Sequence, residues 1–313
     1  MELANRLRKR QKHLRKWARR NGITCYRLYE KDIPEFPLIV DWYDGEVVVW
    51  LFDRSRSDTL TEIDNWRKLA LAEVSAGLDV LPDHIFAKER FRQRGLTGQY
   101  KRIDQFGQTR IIEEQGLKFE VNLSDYLDTG IFLDHRNTRH LIRQQAKEKR
   151  VLNLFAYTGS FTCYAIDGGA THTTTVDISR TYCNWAIRNL GHNNFALNDN
   201  HRILRKDCLQ YLREAARRHE QYDIIVCDPP TFSNSKSMEV TSFAIERDYP
   251  SLIRACVKLL AADGTLYFSN NARRFKLDQS TLPSNLNICE LTPDTIPEDF
   301  RNQRIHRCWQ ITG

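Results

Sequence analysis

The spacing of hydrophobic positions divides the chain into two stretches with different rhythms. Apolar residues at roughly helical spacing among basic ones predict an amphipathic helix over 1–22, ending near Asn21-Gly22. Strand-like apolar runs follow in TCYRLYE, PLIVDWY and EVVVWLF, with Asp44-Gly45 as a hairpin turn between the last two. A helix over 61–77 and strands in DHIFAKE, QTRIIEE and KFEVNLS come next. Residues 23–123 are therefore predicted to form a small α/β module.

From residue 124 the pattern changes to strands that alternate with helices. Strands are predicted in VLNLFAY, TTTVDIS, RILRKDC, YDIIVCDPP and TLYFSNN, and helices over 160–167, 180–190, 208–219 and 246–261. This alternation is typical of parallel βαβ units in a doubly wound sheet. We therefore predict an α/β, Rossmann-like domain over 124–313.

Composition narrows the class of protein. With 41% hydrophobic and 28% charged residues among 313, the chain has the composition of a soluble globular protein, and no apolar run is long enough for a membrane span. The basic start lacks the apolar core of a secretory signal, so a cytoplasmic protein without a membrane partner is predicted. The eight cysteines form no CxxC pair, so reduced thiols and no metal site are expected.

Positive charge is concentrated in a few segments. The formal net charge is +7, and residues 1–20 contain nine Lys or Arg but one acid, Glu2. Such clusters favour a polyanionic partner, although a solvated charged face is the alternative for the first helix. The basic residues predicted to contact RNA are Arg6, Arg8, Lys9, Arg10, Lys12, Arg15, Lys16, Arg90, Arg92, Arg94, Lys101, Arg273 and Arg274.

A glycine turn after the first strand of the second stretch indicates a nucleoside cofactor. Gly159 lets a ligand approach the backbone, and Asp177 ends the next strand, where an acid can hydrogen-bond both hydroxyls of a ribose. The phosphate-binding pattern G-x-G-x-x-G is missing, which disfavours a nicotinamide cofactor. S-adenosylmethionine (SAM) has no pyrophosphate, so one glycine suffices for it.

The segment after the fourth strand carries the most specific motif. In Asp228-Pro229-Pro230-Thr231-Phe232, two prolines fix the backbone after the acid, so that Asp228 can face a base on which Phe232 can stack. Asp207 ends the third strand, where it can bond an adenine amino group or act as the N-cap of the helix over 208–219.

The order of these motifs resembles one family. TGIFLD followed by His135-Arg136, then LNLFAYTGSF, VDIS, KDC and DPPTF, is similar to the class I SAM-dependent methyltransferases of 23S ribosomal RNA, over nearly the whole chain. The nearest resemblance is to RlmK-type guanine-N7 methyltransferases, the second half of bifunctional RlmKL proteins, which are related to the cytosine-C5 enzyme RlmI. In full-length RlmKL proteins, a THUMP domain and a guanine-N2 methyltransferase precede this half.

The resemblance implies a site, a cofactor and partners. SAM, converted to S-adenosylhomocysteine, is expected against Phe132, Asp134, Arg136, Phe155, Tyr157, Gly159, Ser160, Phe161, Asp177, Ile178, Asp207, Cys208 and Asp228. The base is expected against Asp228, Pro229, Pro230, Phe232 and Asn270. The expected partners are 23S rRNA or a large-subunit assembly intermediate, and a fused or neighbouring half with the guanine-N2 methyltransferase and the THUMP domain. The module over 23–123 is expected to bind RNA or to support the catalytic domain.

The position of cysteine discriminates between the two bases. Cytosine-C5 methylation needs a thiolate nucleophile, whereas guanine N7 carries a free lone pair and needs mainly alignment. In the cytosine-C5 relatives the cysteine lies in the segment that here reads YFSNNA, and strand alternation places Cys227 on the opposite face from Asp228. We therefore predict guanine-N7 methylation of a flipped-out base, with His135 structural or in contact with RNA. The alternatives are a cytosine-C5 enzyme and an RNA-remodelling module.

Overall fold

The computed structural model describes residues 1–54, 58–90, 107–234 and 242–313. The chain forms two compact units. Unit 1 comprises Met1–Leu133 and Glu298–Arg301, and unit 2 comprises Asp134–Pro297 and Asn302–Gly313. Each of the helices in the described ranges falls short of the length or the apolar character that a bilayer crossing demands.

Unit 1 combines two helices with a four-stranded sheet and a separate hairpin. The sheet order is β1-β2-β3-β4, with β4 parallel to β3 and the other pairs antiparallel, and β5 pairs with β6. Its elements are α1 (Glu2–Arg20), β1 (Cys25–Glu30), β2 (Leu38–Tyr43), β3 (Glu46–Phe52), α2 (Leu60–Leu78), β4 (Ile85–Arg90), β5 (Thr109–Glu114) and β6 (Leu117–Asn122).

The first helix is an integral part of unit 1. Its apolar face, which includes Leu3, Leu7 and Leu14, is fully buried in the core between the helices and the sheet. A Cβ placed on Gly77 of α2 would lie 2.8 Å from the backbone of Ala4, so the two helices cross in direct backbone contact. The basic residues of α1 consequently project from a helix whose other face is fixed.

Unit 2 is built on a seven-stranded sheet. Its order is β14-β15-β13-β10-β7-β8-β9, in which β13 through β9 run parallel and the last two strands of the chain add antiparallel at one edge. The elements are α3 (Arg136–Gln145), β7 (Arg150–Leu154), α4 (Ser160–Asp167), β8 (His172–Asp177), α5 (Arg180–His192), β9 (His201–Arg205), α6 (Cys208–Arg217), β10 (Tyr222–Cys227), β11 (Phe232–Ser233), β12 (Phe243–Ala244), α7 (Ile245–Val257), β13 (Leu260–Asn270), β14 (Asn287–Glu290), α8 (Thr292–Thr295) and β15 (Arg307–Thr312).

The strand order creates a switch point between β7 and β10. From β7 the chain proceeds outward through β8 and β9, and then returns to place β10 on the opposite side of β7. In open α/β sheets, ligands bind at the carboxyl ends of the strands beside such a reversal. The segments that follow β7, β8, β9 and β10 are therefore the ones to examine for a site.

The predicted α/β class and parallel sheet are confirmed, with three differences. The predicted strand VLNLFAY ends at Leu154, because Phe155 already has a positive φ of 54°. The antiparallel strands β14 and β15 were not predicted. The compact units divide after Leu133, whereas the predicted boundary lies between 123 and 124, and α1 is part of unit 1.

Candidate active site

The loop after β7 has an unusual backbone. Phe155, Tyr157 and Gly159 have φ of 54°, 51° and 75°, a region that only glycine adopts without strain. A Cβ on Gly159 would lie 2.8 Å from the Cβ of Ala186 on α5, so the turn is packed directly against that helix. The strained residues are held from the neighbouring strand ends, because the amide of Phe155 donates to Cys208 Sγ at 3.2 Å.

Asp177 ties the loop to the end of β8. One carboxylate oxygen accepts from the amide of Tyr157 at 2.9 Å, and the other accepts from the amide of Ser179 at 2.8 Å. Burial nevertheless raises the pKa of Asp177 to about 6, with these two bonds opposing the rise. Each oxygen keeps a lone pair, so the carboxylate can accept from two adjacent hydroxyls. Ile178 beside it is partly exposed.

Asp207 and Cys208 continue this edge at the end of β9. Asp207 is the N-cap of α6, because one of its oxygens accepts from the amide of Gln210 at 2.9 Å. The capping alternative is therefore confirmed, and the second oxygen is still able to accept from an adenine amino group. Cys208 is buried, and its thiol donates to the carbonyl of Val176 at 3.6 Å. It supports the loop rather than exposing a reactive group.

Aromatic side chains flank the loop after β7 on both sides. The ring of Tyr157 packs edge-on against Tyr182, with 4.6 Å between ring centroids, and lies 6.5 Å from Trp185. Phe155 lies on the other side, 5.9 Å from the ring of Phe243 on β12. Since β12 pairs with β11, which begins at Phe232, this contact connects the β7 loop to the Asp-Pro-Pro segment.

Asp228 follows β10 directly and is held from two directions. Its Oδ1 accepts from the hydroxyl of Ser269 on β13 at 2.7 Å, and its Oδ2 lies 3.5 Å from Nε2 of His135. The side chain is 24% exposed, so its remaining lone pairs are accessible to a ligand. Ser269 and His135 thus fix the orientation of the carboxylate.

A second histidine stands behind His135. The ring of His306 stacks on His135 with 4.2 Å between centroids and 11° between planes, and its Nδ1 lies 3.0 Å from Asp134 Oδ2. One donor atom each from Asp134, His135 and His306 fall within 4.8 Å of one another, as in metal sites. However, imidazole lone pairs lie in the ring plane, and two nearly parallel rings cannot direct them at one ion. The geometry suits a hydrogen-bond network better than metal coordination.

Asn270, at the end of β13, carries an unused donor. Its Oδ1 accepts from the amide of Ala272 at 3.0 Å, which fixes the orientation of the side-chain amide. Its Nδ2 is buried and has no hydrogen-bond partner in the described part of the chain. A buried donor without an acceptor costs about 1–3 kcal/mol, so this atom is a candidate for bonding a ligand.

Comparison with known proteins assigns the family. The profile described as S-adenosylmethionine-dependent methyltransferase matches residues 28–279. The chain belongs to the S-adenosylmethionine-dependent methyltransferase family. The glycine turn pressed on α5 and the two-oxygen acceptor at Asp177 fit the nucleoside part of that cofactor.

The relatives of this methyltransferase are named for ribosomal RNA. It is 47% identical over 308 residues to "Ribosomal RNA large subunit methyltransferase K" of Neisseria meningitidis, covering 98% of this chain and 86% of that protein. It is 48% identical to "Ribosomal RNA large subunit methyltransferase K/L" of Methylococcus capsulatus over 98% of this chain, but spans only 42% of that longer protein. The predicted family resemblance is therefore confirmed.

Solved structures confirm the fold. A SAM-dependent methyltransferase from Streptococcus mutans matches with a TM-score of 0.75 at 25% identity, over 99% of this chain and 80% of that one. A methyltransferase solved in complex with SAH matches with a TM-score of 0.77 at 24% identity, over the same shares of the two chains. SAM is the cofactor of this methyltransferase, as its family membership shows and as the sequence predicted.

The structure brings most of the predicted site residues of the methyltransferase to one sheet edge. Those in the segments after β7 to β10 and at the end of β13 are Phe155, Tyr157, Gly159, Ser160, Phe161, Asp177, Ile178, Asp207, Cys208, Asp228, Pro229, Pro230, Phe232 and Asn270. Asp134 and Arg136 lie beside this group in unit 2, with Arg136 buried. Phe132 belongs to unit 1, where its side chain is 38% exposed.

Most cysteines of this methyltransferase are buried. Seven of the eight are buried, and the exposed one, Cys289, lies on the edge strand β14. Cys227 is packed in the core, and burial raises its pKa well above the usual value of a thiol. Burial likewise raises the pKa of Cys183 to about 11. Thiols in such environments stay protonated and unreactive at neutral pH.

The predicted RNA contacts fall into three groups. Arg6, Arg8 and Arg10 are engaged within unit 1: Arg6 with Asp32, Arg8 with the carbonyl of Ala76, and Arg10 with the carbonyls of Leu28 and Asp299. Lys12, Arg15, Arg273 and Arg274 are exposed, as are Lys9 and Lys16. The side chain of Arg90, together with Arg92, Arg94 and Lys101, lies outside the described residues.

Two functional candidates escaped sequence reasoning. His306 stands alone in the C-terminal segment, and Ser269 lies within a strand; neither carries a local motif. His135, next to Asp134, was visible in the sequence, but a single histidine does not indicate which distant residue it contacts. Their roles depend on hydrogen bonds between distant parts of the chain, since Asp134 and His306 are 172 residues apart.

Proposed function

We propose that this methyltransferase transfers the methyl group of SAM to N7 of a guanine in large-subunit (23S) ribosomal RNA. Methylation of ribosomal RNA is supported by the names of its relatives, one of which it spans over 86% of that protein's length. The choice of guanine N7 rests on the oriented carboxylate of Asp228 at the site. The burial of the neighbouring thiols in the described part of the chain argues against the cytosine-C5 alternative.

The chemistry demands little of the protein beyond alignment and charge. SAM supplies an activated methyl group on a sulfonium, and guanine N7 offers a lone pair without loss of a proton. Methylation at N7 leaves the purine positively charged. An oriented carboxylate such as that of Asp228 stabilises this developing charge when it lies at the edge of the base. A general base is not required.

The polar groups at the site favour guanine over adenine. The Watson–Crick edge of guanine presents an acceptor, O6, beside a donor, N1–H, whereas adenine presents the reverse order. Asp228 offers an acceptor, and the unused Nδ2 of Asn270 offers a donor from the adjacent strand end. We propose that Asp228 accepts from N1–H and Asn270 donates to O6. Pro229 and Pro230 would hold the backbone for this contact, and Phe232, which is partly exposed, would stack on the base.

One face of α1 is proposed to contact the RNA backbone. Lys9, Lys12 and Lys16 are spaced to lie on the same side of the helix, and they line a groove of about 320 Å³. The other residues lining this groove are His13, Trp17, Arg20 and Glu298. These lysines form no ion pair within the described ranges, in contrast to Arg6 on the same helix. Lysines of this kind bind phosphates and make affinity depend on salt.

Two other functions stay open to test. A cytosine-C5 methyltransferase would need a thiolate at the site, and the burial of Cys227 argues against it. An RNA-remodelling module would use the basic face without methyl transfer. We further propose that the substrate is naked rRNA or an assembly intermediate, and that a guanine-N2 methyltransferase half accompanies this one. A cytoplasmic location is proposed as well.

The decisive experiment is transfer of labelled methyl from SAM to unmodified 23S rRNA and to large-subunit precursors, followed by nucleoside mass spectrometry. We expect label in 7-methylguanosine, and none with the Asp228→Ala variant. Label in 5-methylcytidine, or covalent trapping on 5-fluorocytosine RNA, would establish the cytosine-C5 enzyme instead. Binding without label in either RNA would establish the remodelling module.

A further inference from the structure

The two stacked histidines behind Asp228 form a buried, polar arrangement, and His306 in it has no role in the site chemistry described above. His135 precedes α3, whereas His306 precedes β15. His306 is completely buried, and His135 is 4% exposed. Parallel stacking of two imidazoles brings their charges into direct conflict if both are protonated. The protonation of one ring therefore determines that of the other.

The hydrogen-bond partners of His306 are compatible with a charged ring. Its Nδ1 faces the carboxylate of Asp134 at 3.0 Å, and its Nε2 faces the hydroxyl of Thr295 at 3.0 Å. An ionised carboxylate can only accept, so Nδ1 donates. The hydroxyl of Thr295 can donate to the carbonyl of Thr292 at 3.1 Å, and in that arrangement it accepts from Nε2. A ring that donates through both nitrogens is an imidazolium, here with Asp134 as its counter-ion.

His135 is thereby kept neutral. Burial lowers its pKa most, His306 lowers it further and Arg139 adds to this, while Asp228 and Asp134 oppose the shift. Its Nδ1 lies 3.4 Å from the hydroxyl of Thr138, and its Nε2 lies 3.5 Å from Asp228. A neutral ring that carries its proton on Nε2 can donate to Asp228 without cancelling the carboxylate charge. Such contacts are often long in a free enzyme and shorten in the substrate complex.

We propose that the His306–Asp134 ion pair is a positioning device that keeps His135 neutral and turned toward Asp228, so that Asp228 meets the RNA base as a full carboxylate. A protonated His135 would form an ion pair with Asp228 and offset the charge that opposes the developing purine cation. This inference rests on the proposed role of Asp228. It assigns His135 and His306 to the maintenance of that charge, not to proton transfer.

The test is the pH dependence of kcat in a double-mutant cycle. The variants are His306→Gln, His135→Gln and the double variant. For each, kcat is measured with saturating SAM and RNA from pH 5.5 to 8.5, and it is divided by kcat of the native protein at the same pH. In His306→Gln, the positive neighbour that lowers the pKa of His135 is lost while Asp228 and Asp134 still raise it, so His135 takes up a proton more readily as the pH falls. Activity at pH 6 relative to pH 8 is therefore expected to fall by about threefold to tenfold. His135→Gln cannot be protonated, so both variants that contain it should keep a flat ratio.

The cycle separates this role from a merely structural one. A loss in His306→Gln that is equal at all pH values, or an acid-side loss that persists in the double variant, would overturn the proposal. Formation of 7-methylguanosine by the native protein tests the proposed function independently of these ratios. If His306→Gln does not fold, ring nitrogen NMR of the native protein at pH 7 decides. We expect His306 doubly protonated and His135 neutral with the proton on Nε2, and the reverse assignment would refute the device.

Discussion

The two sides of the switch point hold their polar side chains in different ways. On the side of β7, β8 and β9, Asp177 and Asp207 are bound by backbone amides from their own or neighbouring turns. On the side of β10 and β13, Asp228 is bound by the side chains of Ser269 and His135, and Asn270 keeps an unused donor. Both sides are carboxyl ends of strands in one sheet. They differ in whether backbone amides or side chains fix the orientation of the carboxylates.

The difference agrees with what each side is proposed to bind. A cofactor of constant shape is suited by acceptors fixed through the backbone, as in the strained loop around Gly159. A base that must be drawn from folded RNA gains from acceptors and donors whose charge is adjusted by neighbouring side chains, as at Asp228. The comparison therefore predicts that substitutions on one side affect SAM binding, and that those on the other affect methyl transfer.

The largest effect is expected at Asp228. Asp228→Ala removes the carboxylate that we propose to stabilise the purine cation, so single-turnover methyl transfer should fall by roughly 100- to 1000-fold. Although Asp228 was also expected against SAM, its carboxylate is held by Ser269 and His135 and not by the loop after β7. The Kd of SAM, measured by calorimetry, should therefore change by less than about twofold, because the cofactor side keeps its backbone bonds. Ser269→Ala is the graded control, with a smaller loss of the same kind. An equal loss of SAM binding in Asp228→Ala would show that the two sides are not separable.

A substitution at Gly159 should act on the opposite side. Gly159→Ala introduces a Cβ 2.8 Å from that of Ala186 at a φ of 75°, and such strain costs on the order of 1–3 kcal/mol. We expect SAM affinity to fall by about tenfold or more, and Tm to drop, with kcat at saturating SAM less affected. The matched control is Gly191→Ala on α5, where an added Cβ meets nothing within 4 Å. Equal effects of both substitutions would argue against the packed turn.

The ionisation of Asp177 predicts a pH dependence for SAM binding. Burial raises its pKa to about 6, so the carboxyl of the free protein becomes protonated as the pH falls through that value. The carboxylate is the form that accepts from ribose hydroxyls. SAM affinity should therefore be constant above pH 7 and weaken by up to about tenfold for each pH unit below 6. Asp177→Asn should bind more weakly and show a flat profile; a native profile without this limb would refute the ribose contact.

The smallest effect is expected at Cys227. Cys227→Ala removes a buried thiol next to Asp228, so the free energy of unfolding should fall by about 1 kcal/mol while methyl transfer changes by less than twofold. Exposed Cys289→Ala should alter neither quantity. Complete loss of transfer in Cys227→Ala, with a normal Tm, would restore the cytosine-C5 alternative.

The sequence by itself determined the parts of this protein that depend on neighbouring residues. Alternation of apolar runs with glycine turns predicted the parallel strands, and the residues after β7, β8, β9 and β10 were predicted as the site because strand ends share one sheet edge. The burial of one face of α1 was likewise predicted from the helical spacing of its apolar residues. In each case the period of the pattern and the geometry of the element are local properties of the chain.

Only the tertiary structure decided which side chains act together. His306 reaches Asp134 across 172 residues, and Ser269 reaches Asp228 across 41, through tertiary contacts that no local pattern specifies. The fold also separates the arginines that serve unit 1, such as Arg6, from the lysines that line the groove on the same helix. The sequence specifies which side chains are charged or polar. Whether a group is buried, stacked or already bonded depends on contacts between distant segments, and these contacts determine its chemistry.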